Sequence, residues 1–309
     1  MSKIPYTKQA LTYREQLDLL KERGMIVEDD NKALHLLENI SYYRLSGYWY
    51  PMLKEPKHEH KFKDNSTFNT AFRLYCFDRE LRKLVLRELE KIEVAIKAKM
   101  VYILSHKHNA FWYTDPNIFK RRDIHSKTVD KIRSEYNQSD EQFIMEFKQK
   151  YNNPLPPSWM MLELTSLGSL SFLYTFLNST IEKREISNYF GLNDTIFASW
   201  LHSIVYVRNI CAHHTRLWSR VLRVSPGIPR RPKSTFLNEV HFTQEDGSIA
   251  SINNRVYYFL SMIIYLLNTI NPNHSFKERL LELLDEFPMV DVRAMGFPEN
   301  WKNEPLWRV

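Results

Sequence analysis

Arg208, Asn209 and His213 lie within six consecutive positions at the end of an apolar stretch, with His214 beside them. Arginine is a permanent cation whose planar fork of donors matches phosphate oxygens. Histidine can give and take protons near neutral pH. Together they are a minimal kit for cleaving a phosphodiester without a metal ion. On spacing alone Arg-x4-His is a weak signal, because such pairs arise by chance in many chains.

The residues C-terminal to the pair strengthen it. Arg216, Arg220, Arg223, Arg230, Arg231 and Lys233 all precede the next acidic residue, so residues 195–238 hold seven Lys or Arg and no Asp or Glu. The whole chain has a formal net charge of +7, and this window alone accounts for it. A basic tract of this kind points to a polyanion, and its lack of a lysine-rich amphipathic helix favours nucleic acid over an anionic membrane face.

The helix that must carry the pair is predicted from Asn193 or Asp194 onward, either of which can cap it. On a wheel advancing about 100° per residue, Phe197, Trp200, Leu201, Ile204, Val207 and Cys211 form one apolar face. Arg208 falls inside that face, where a cation needs a carboxylate, a carbonyl or a bound phosphate; a structural arginine would pair with a core carboxylate such as Glu93. Asn209 and His213 share a different face with His202, about 140° from Arg208. For the pair to act together, either the helix ends near Ala212 and turns His213 back, or the cleft runs along the helix edge.

Elsewhere almost every periodic segment reads as helix: residues 11–23, 31–40, 158–178, 181–190, 253–270 and 276–287, with the longest over 67–105. The aromatic block Ser41-Tyr42-Tyr43-Arg44-Leu45-Ser46-Gly47-Tyr48-Trp49-Tyr50 has two readings, a packing plug or a base-stacking surface beside Arg44. Residues 109–157 read as a variable, loop-rich insertion with one short helix over 140–151, closed by Pro154, Pro156 and Pro157. Residues 235–250, with Asp246-Gly247 inside, allow one small hairpin. The expected fold is all-α: an N-terminal helical and aromatic segment over residues 1–60, then a helical domain over 61–309, with a single domain overall as the alternative.

Composition sets outer bounds. The chain has 309 residues, 43% hydrophobic and 26% charged, as a globular protein does. Two cysteines, Cys76 and Cys211, make neither a disulfide framework nor a zinc pair, which favours a reducing, cytoplasmic compartment. The most apolar run, residues 256–267, is too short for the roughly 18–20 residues of a bilayer span. His58, His60, His106 and His108 have i,i+2 spacing that shares no helix face, so neither a metal site nor a cofactor is expected. Phosphate-loop and Gly-x-Ser-x-Gly patterns are absent from the sequence, which leaves nucleotide hydrolysis and serine hydrolysis without support.

At these residues the chain resembles a known family. Arg208-Asn209-Ile210-Cys211-Ala212-His213-His214 resembles the Arg-x4–6-His signature of HEPN ribonucleases, including the Asn after Arg. Residues 41–48 are similar to the N-terminal block of bacterial abortive-infection (Abi) proteins, and Met295-Gly296-Phe297-Pro298-Glu299-Asn300-Trp301 to their C-terminal tail. The resemblance spans residues 19–307, with 109–157 least alike. It implies a HEPN-like helical bundle, metal-independent endoribonuclease activity, and a role in phage defence or toxin-type growth arrest. A small inhibitory RNA is a further partner it allows.

Read as chemistry, a histidine would take the 2′ proton of RNA, an acid would protonate the leaving 5′ oxygen, and Arg208 would neutralise the phosphate. Two proton-transfer groups are required and the chain has one motif, so a homodimer sharing one cleft is expected. His213 is the expected base, Asn209 the group that orients it or the phosphate, His214 a supporting group, and Arg216, Arg220, Arg230 and Arg231 the backbone-tracking cations. The competing reading is a non-catalytic RNA-binding module in which Arg208 and His213 are structural. A nucleotide-transferring enzyme is a further rival.

Overall fold

The computed structural model describes residues 5–243 and 248–308, and among them the chain is all-α apart from one short hairpin. Twelve α-helices follow in order: α1 (Tyr13–Glu22), α2 (Asp30–Ile40), α3 (Tyr42–Trp49), α4 (Phe68–Lys107), α5 (Arg122–Gln138), α6 (Gln142–Lys150), α7 (Ser158–Leu164), α8 (Leu167–Phe176), α9 (Ile181–Tyr189), α10 (Asp194–Ala212), α11 (Val256–Ile270) and α12 (Phe276–Glu286). The hairpin pairs β1 (His241–Thr243) with β2 (Ile249–Ser251) antiparallel, Phe242 opposite Ala250. The expected Asp246-Gly247 turn lies outside the described residues.

Two compact units form, divided within α4 between Leu81 and Arg82. Among the described residues, the first unit comprises 5–81 with 282–290. Its core gathers Leu17, Leu20, Leu37, Leu45, Trp49, Phe62 and Phe68. A buried Tyr48 hydroxyl donates to Asp78 Oδ2 at 2.6 Å. The far segment joins this unit because Arg73 Nη2 donates to the Glu286 carbonyl at 3.1 Å and the Phe77 ring lies 5.8 Å from that of Phe287.

The second unit is built around α11. Every residue from Val256 to Leu267 is buried, and a helix apolar on all sides must be surrounded by others. Trp200 on α10 stands edge-on to Tyr265 on α11, ring centroids 5.5 Å apart. The C-terminal tail closes over α11: Trp307 Nε1 donates to Ser261 Oγ at 3.0 Å, and the Trp307 ring stacks on Tyr257 at 5.4 Å. The tail block at residues 295–301 therefore has a packing role, with Met295, Phe297 and Trp301 all buried.

Two expectations fail here. Residues 109–157 are not mainly loop, because they hold the 17-residue helix α5 as well as α6. The buried side of α5 is His125, Thr128, Val129, Ile132 and Tyr136, a helical spacing in which polar residue types fill two positions and mask the periodicity. The expected single helix over 158–178 is two, broken at Thr165-Ser166, where the Ser166 hydroxyl caps α8 by accepting from Ser169 N.

Candidate functional site

Helix α10 positions the pair. Asn193 caps its start, accepting from Ile196 N at 2.9 Å, and Phe197, Trp200, Leu201, Ile204, Val207, Ile210 and Cys211 are buried along it. The helix stops at Ala212 because the backbone turns over at His213 and His214. His214 sits at φ 56°, in the left-handed region, where glycine is the usual residue. Thr215 N donates to the Ile210 carbonyl at 3.0 Å and His214 N to the Cys211 carbonyl at 3.1 Å. This reciprocal pair satisfies carbonyls that a helix end otherwise leaves open.

The helix ends at Ala212, one of the two arrangements expected. His213 is the C-cap residue, exposed, with its N–H donating to the Asn209 carbonyl at 3.0 Å. Arg208 Nη1 donates to the side-chain oxygen of the same Asn209 at 3.3 Å. The first of these is the ordinary main-chain bond of the helix, so Asn209 meets Arg208 through its side chain and His213 only through the backbone.

Glu93 does not hold Arg208. It pairs with Lys97 one turn along α4, at 3.0 Å, the favourable Glu-to-Lys order for a helix. Arg208 also needs no core carboxylate: Ile204 and Cys211 beside it are buried, yet its own side chain is only half-buried. A long arginine stem can lie on an apolar face while its guanidinium reaches solvent.

The basic tract does not form one patch beside His213. Arg216 and Arg220 lie just beyond the C-terminal end of α10, both half-buried, with Arg220 Nε donating to the Arg216 carbonyl at 2.7 Å. The chain then runs back along the helix. Gly227 N donates to Ser199 Oγ at 2.8 Å, and the Gly227 carbonyl accepts from Trp200 Nε1 at 2.8 Å and the Tyr258 hydroxyl at 3.1 Å. A Cβ at Gly227 would press on the Ile196 Cδ1 methyl and the Ser199 hydroxyl, so a larger residue there would push these side chains aside. Exposed Arg230 and Arg231 finish at the opposite end, in a groove of about 1000 Å³ that also contains Asn193 and Asp194.

Nineteen residues of α-helix span about 28 Å, so the cations are strung along that length. Lys233, also exposed, shares the far groove with Arg230 and Arg231. Its place in the acid-free run is its signal in the sequence.

Comparison with known proteins identifies the chain's relatives. A family model described as Abi-like protein matches residues 35–219, from within α2 to just beyond His214, more than half of the chain. No curated protein and no solved structure matches. No described helix is long and apolar enough to cross a membrane. The matched region contains both Ser41–Tyr48 and Arg208–His214, and the chain belongs to the Abi-like protein family, whose name associates it with abortive infection, a form of defence against phage.

Proposed function

We propose that the protein is an endoribonuclease of the HEPN type, acting in phage defence by cutting RNA through attack of the 2′-hydroxyl on the adjacent phosphate. The observation that carries this reading is the placement of Arg208, in contact with the Asn209 side chain, and of exposed His213 at the same end of α10. Arg208 neutralises charge that builds on the phosphate, and His213 takes the 2′ proton. The proton needed by the leaving 5′ oxygen comes from the second His213 of a homodimer, the two ends of α10 meeting across the symmetry axis. The products are a 2′,3′-cyclic phosphate and a 5′-hydroxyl. DNA, lacking the 2′-hydroxyl, survives.

The cations strung along α10 supply the electrostatic hold on the RNA backbone, which is sequence-independent and weakens as salt rises. The same tract would accept a small inhibitory RNA. Purified protein incubated with total RNA in EDTA, with the cut ends mapped, tests the proposal. Cyclic-phosphate ends in EDTA, with DNA left whole, support it. Intact RNA that stays bound in a salt-dependent way overturns it in favour of a non-catalytic RNA-binding module, the reading supported by the single motif per chain.

A further inference from the structure

The aromatic block of the first unit opens a groove that the proposed cleavage does not use. At the corner between α2 and α3, Ser41 adopts φ 78° and ψ 146°, a conformation L-residues rarely hold, while its hydroxyl accepts from Arg44 N at 3.3 Å. Tyr42 and Tyr43 are the first two residues of α3, so their side chains diverge by about 100°. Tyr42 turns inward: its ring stands edge-on to Trp49 at 5.1 Å, and its hydroxyl accepts from Arg23 Nη1 at 3.1 Å. Tyr43 turns outward and is 89% exposed. Tyr50, just past α3, is half-exposed with Lys57 Nζ 4.7 Å from its ring centroid.

These rings face a groove of about 740 Å³, within the size range of small-molecule sites. Apart from tyrosine, its ionisable lining is Lys8, Arg23 and His60, with no carboxylate among the residues that form it. Arg44 is exposed but does not line it. His60 is held below the ordinary histidine range, first by burial and then by the fields of Arg23, Lys8 and His58, so the cations converge on one space.

We propose that this groove, lined by Lys8, Arg23, Tyr42, Tyr43, Tyr50 and His60, binds an unpaired RNA nucleotide, with the base on the exposed tyrosine faces and the phosphate toward Lys8 and Arg23. Exposed aromatic rings beside cations, with no acid between them, are the recurring means of holding single-stranded nucleic acid: every base offers a face to stack and every link a charge to neutralise. Duplex RNA keeps its bases stacked internally and offers the rings nothing. The choice of RNA over DNA rests on the proposed ribonuclease function; the groove itself does not depend on cleavage.

The test uses the full chain and a short, fluorescently labelled 2′-O-methyl oligonucleotide, which cannot be cleaved, with binding followed by anisotropy. Tyr43→Ala combined with Arg23→Gln is expected to weaken single-strand binding about tenfold or more, leaving duplex binding unchanged. Tyr43→Phe keeps the ring and should bind as wild type; because Tyr43 is so exposed, neither change at this position disturbs the core. Unchanged affinity in the double variant, or loss in Tyr43→Phe equal to that in Tyr43→Ala, overturns the stacking site. An acidic peptide bound at this groove, with no oligonucleotide bound there, assigns it to a protein partner and also overturns the proposal. A wild-type protein that cleaves nothing while the double variant loses single-strand binding leaves this site standing and removes only the ribonuclease.

Discussion

Asn209 meets Arg208 through its side chain and His213 through the backbone alone: its side-chain oxygen accepts from Arg208 Nη1 at 3.3 Å, and its carbonyl accepts the His213 N–H at 3.0 Å as the last turn of α10 requires. The backbone bond survives any substitution, so replacing the side chain isolates the hold on Arg208. Asn209→Ala is expected to lower the cleavage rate about 10²-fold through misplacement of the guanidinium, with substrate affinity changed far less. Because Asn209 is exposed, the melting temperature should stay at the wild-type value. Single-turnover rates, read beside a thermal melt, decide it: a wild-type rate in this variant means that Arg208 needs no positioning.

His213 and His214 are adjacent, yet the backbone gives them different duties. His213 caps the helix with ordinary dihedrals, whereas His214 occupies the left-handed position that closes it. His213→Ala should reduce cleavage by about 10²–10⁴-fold, the usual worth of a general base, and leave RNA binding near wild type because the tract along α10 supplies the phosphate contacts. His214→Gly suits the left-handed backbone and should keep the fold intact, with a loss of activity of no more than about tenfold. Equal losses in the two variants would make His214 a full partner in proton transfer. Comparable loss of binding in His213→Ala would make His213 structural.

How much of this was legible before the structure depends on which residues carried the signal. Helices α4 and α11 were readable because large apolar side chains keep helical spacing along one and fill every side of the other. Helix α5 was not, since His125 and Thr128 stand where the pattern wants apolar residues; His125 is buried through a 2.8 Å contact to the Tyr113 carbonyl and a ring stack on Phe119. The candidate residues could be named from their types and order. Their mutual placement could not, because a wheel gives a direction but not where a helix stops, and His214 is a residue type that only sometimes closes one. The run from Arg216 to Lys233 reads as continuous in sequence; the docking of Gly227 against Ser199 and Trp200 is a long-range event that carries its two halves to opposite ends of α10.

Lys183, near the start of α9, offers a check on the second unit that is independent of RNA. Its ammonium is buried and donates to the Thr175 and Leu177 carbonyls at 2.7 and 3.2 Å, at the end of α8. Burial, helped by the field of Lys120, lowers its pKa to about 8. An unfolded lysine keeps its proton to about pH 10.4, so between these values the unfolded state binds more protons and stability rises with pH. Below about pH 8 both states are charged and the contribution levels off at its least favourable. Urea unfolding of wild type and Lys183→Met should therefore show a stability difference that shifts toward the wild type across that window. A difference that stays flat with pH would mean that the ammonium is well solvated in the fold.

The shared cleft is the sharpest claim about mechanism, since cleavage needs both a base and an acid while each chain has one Arg-x4-His. If each cleft draws His213 from both protomers, a dimer of wild type with the Arg208→Ala/His213→Ala double variant has no complete cleft. Such a mixed dimer, purified through two different tags, is expected to lose well over half the wild-type activity. Two independent sites, with His213 and His214 dividing the acid and base roles within one protomer, instead give close to half activity and leave an isolated monomer fully active. Sedimentation of the active species separates the two models directly. An active monomer would end the composite site while leaving RNA cleavage itself in place, because Arg208, Asn209 and His213 all belong to a single chain.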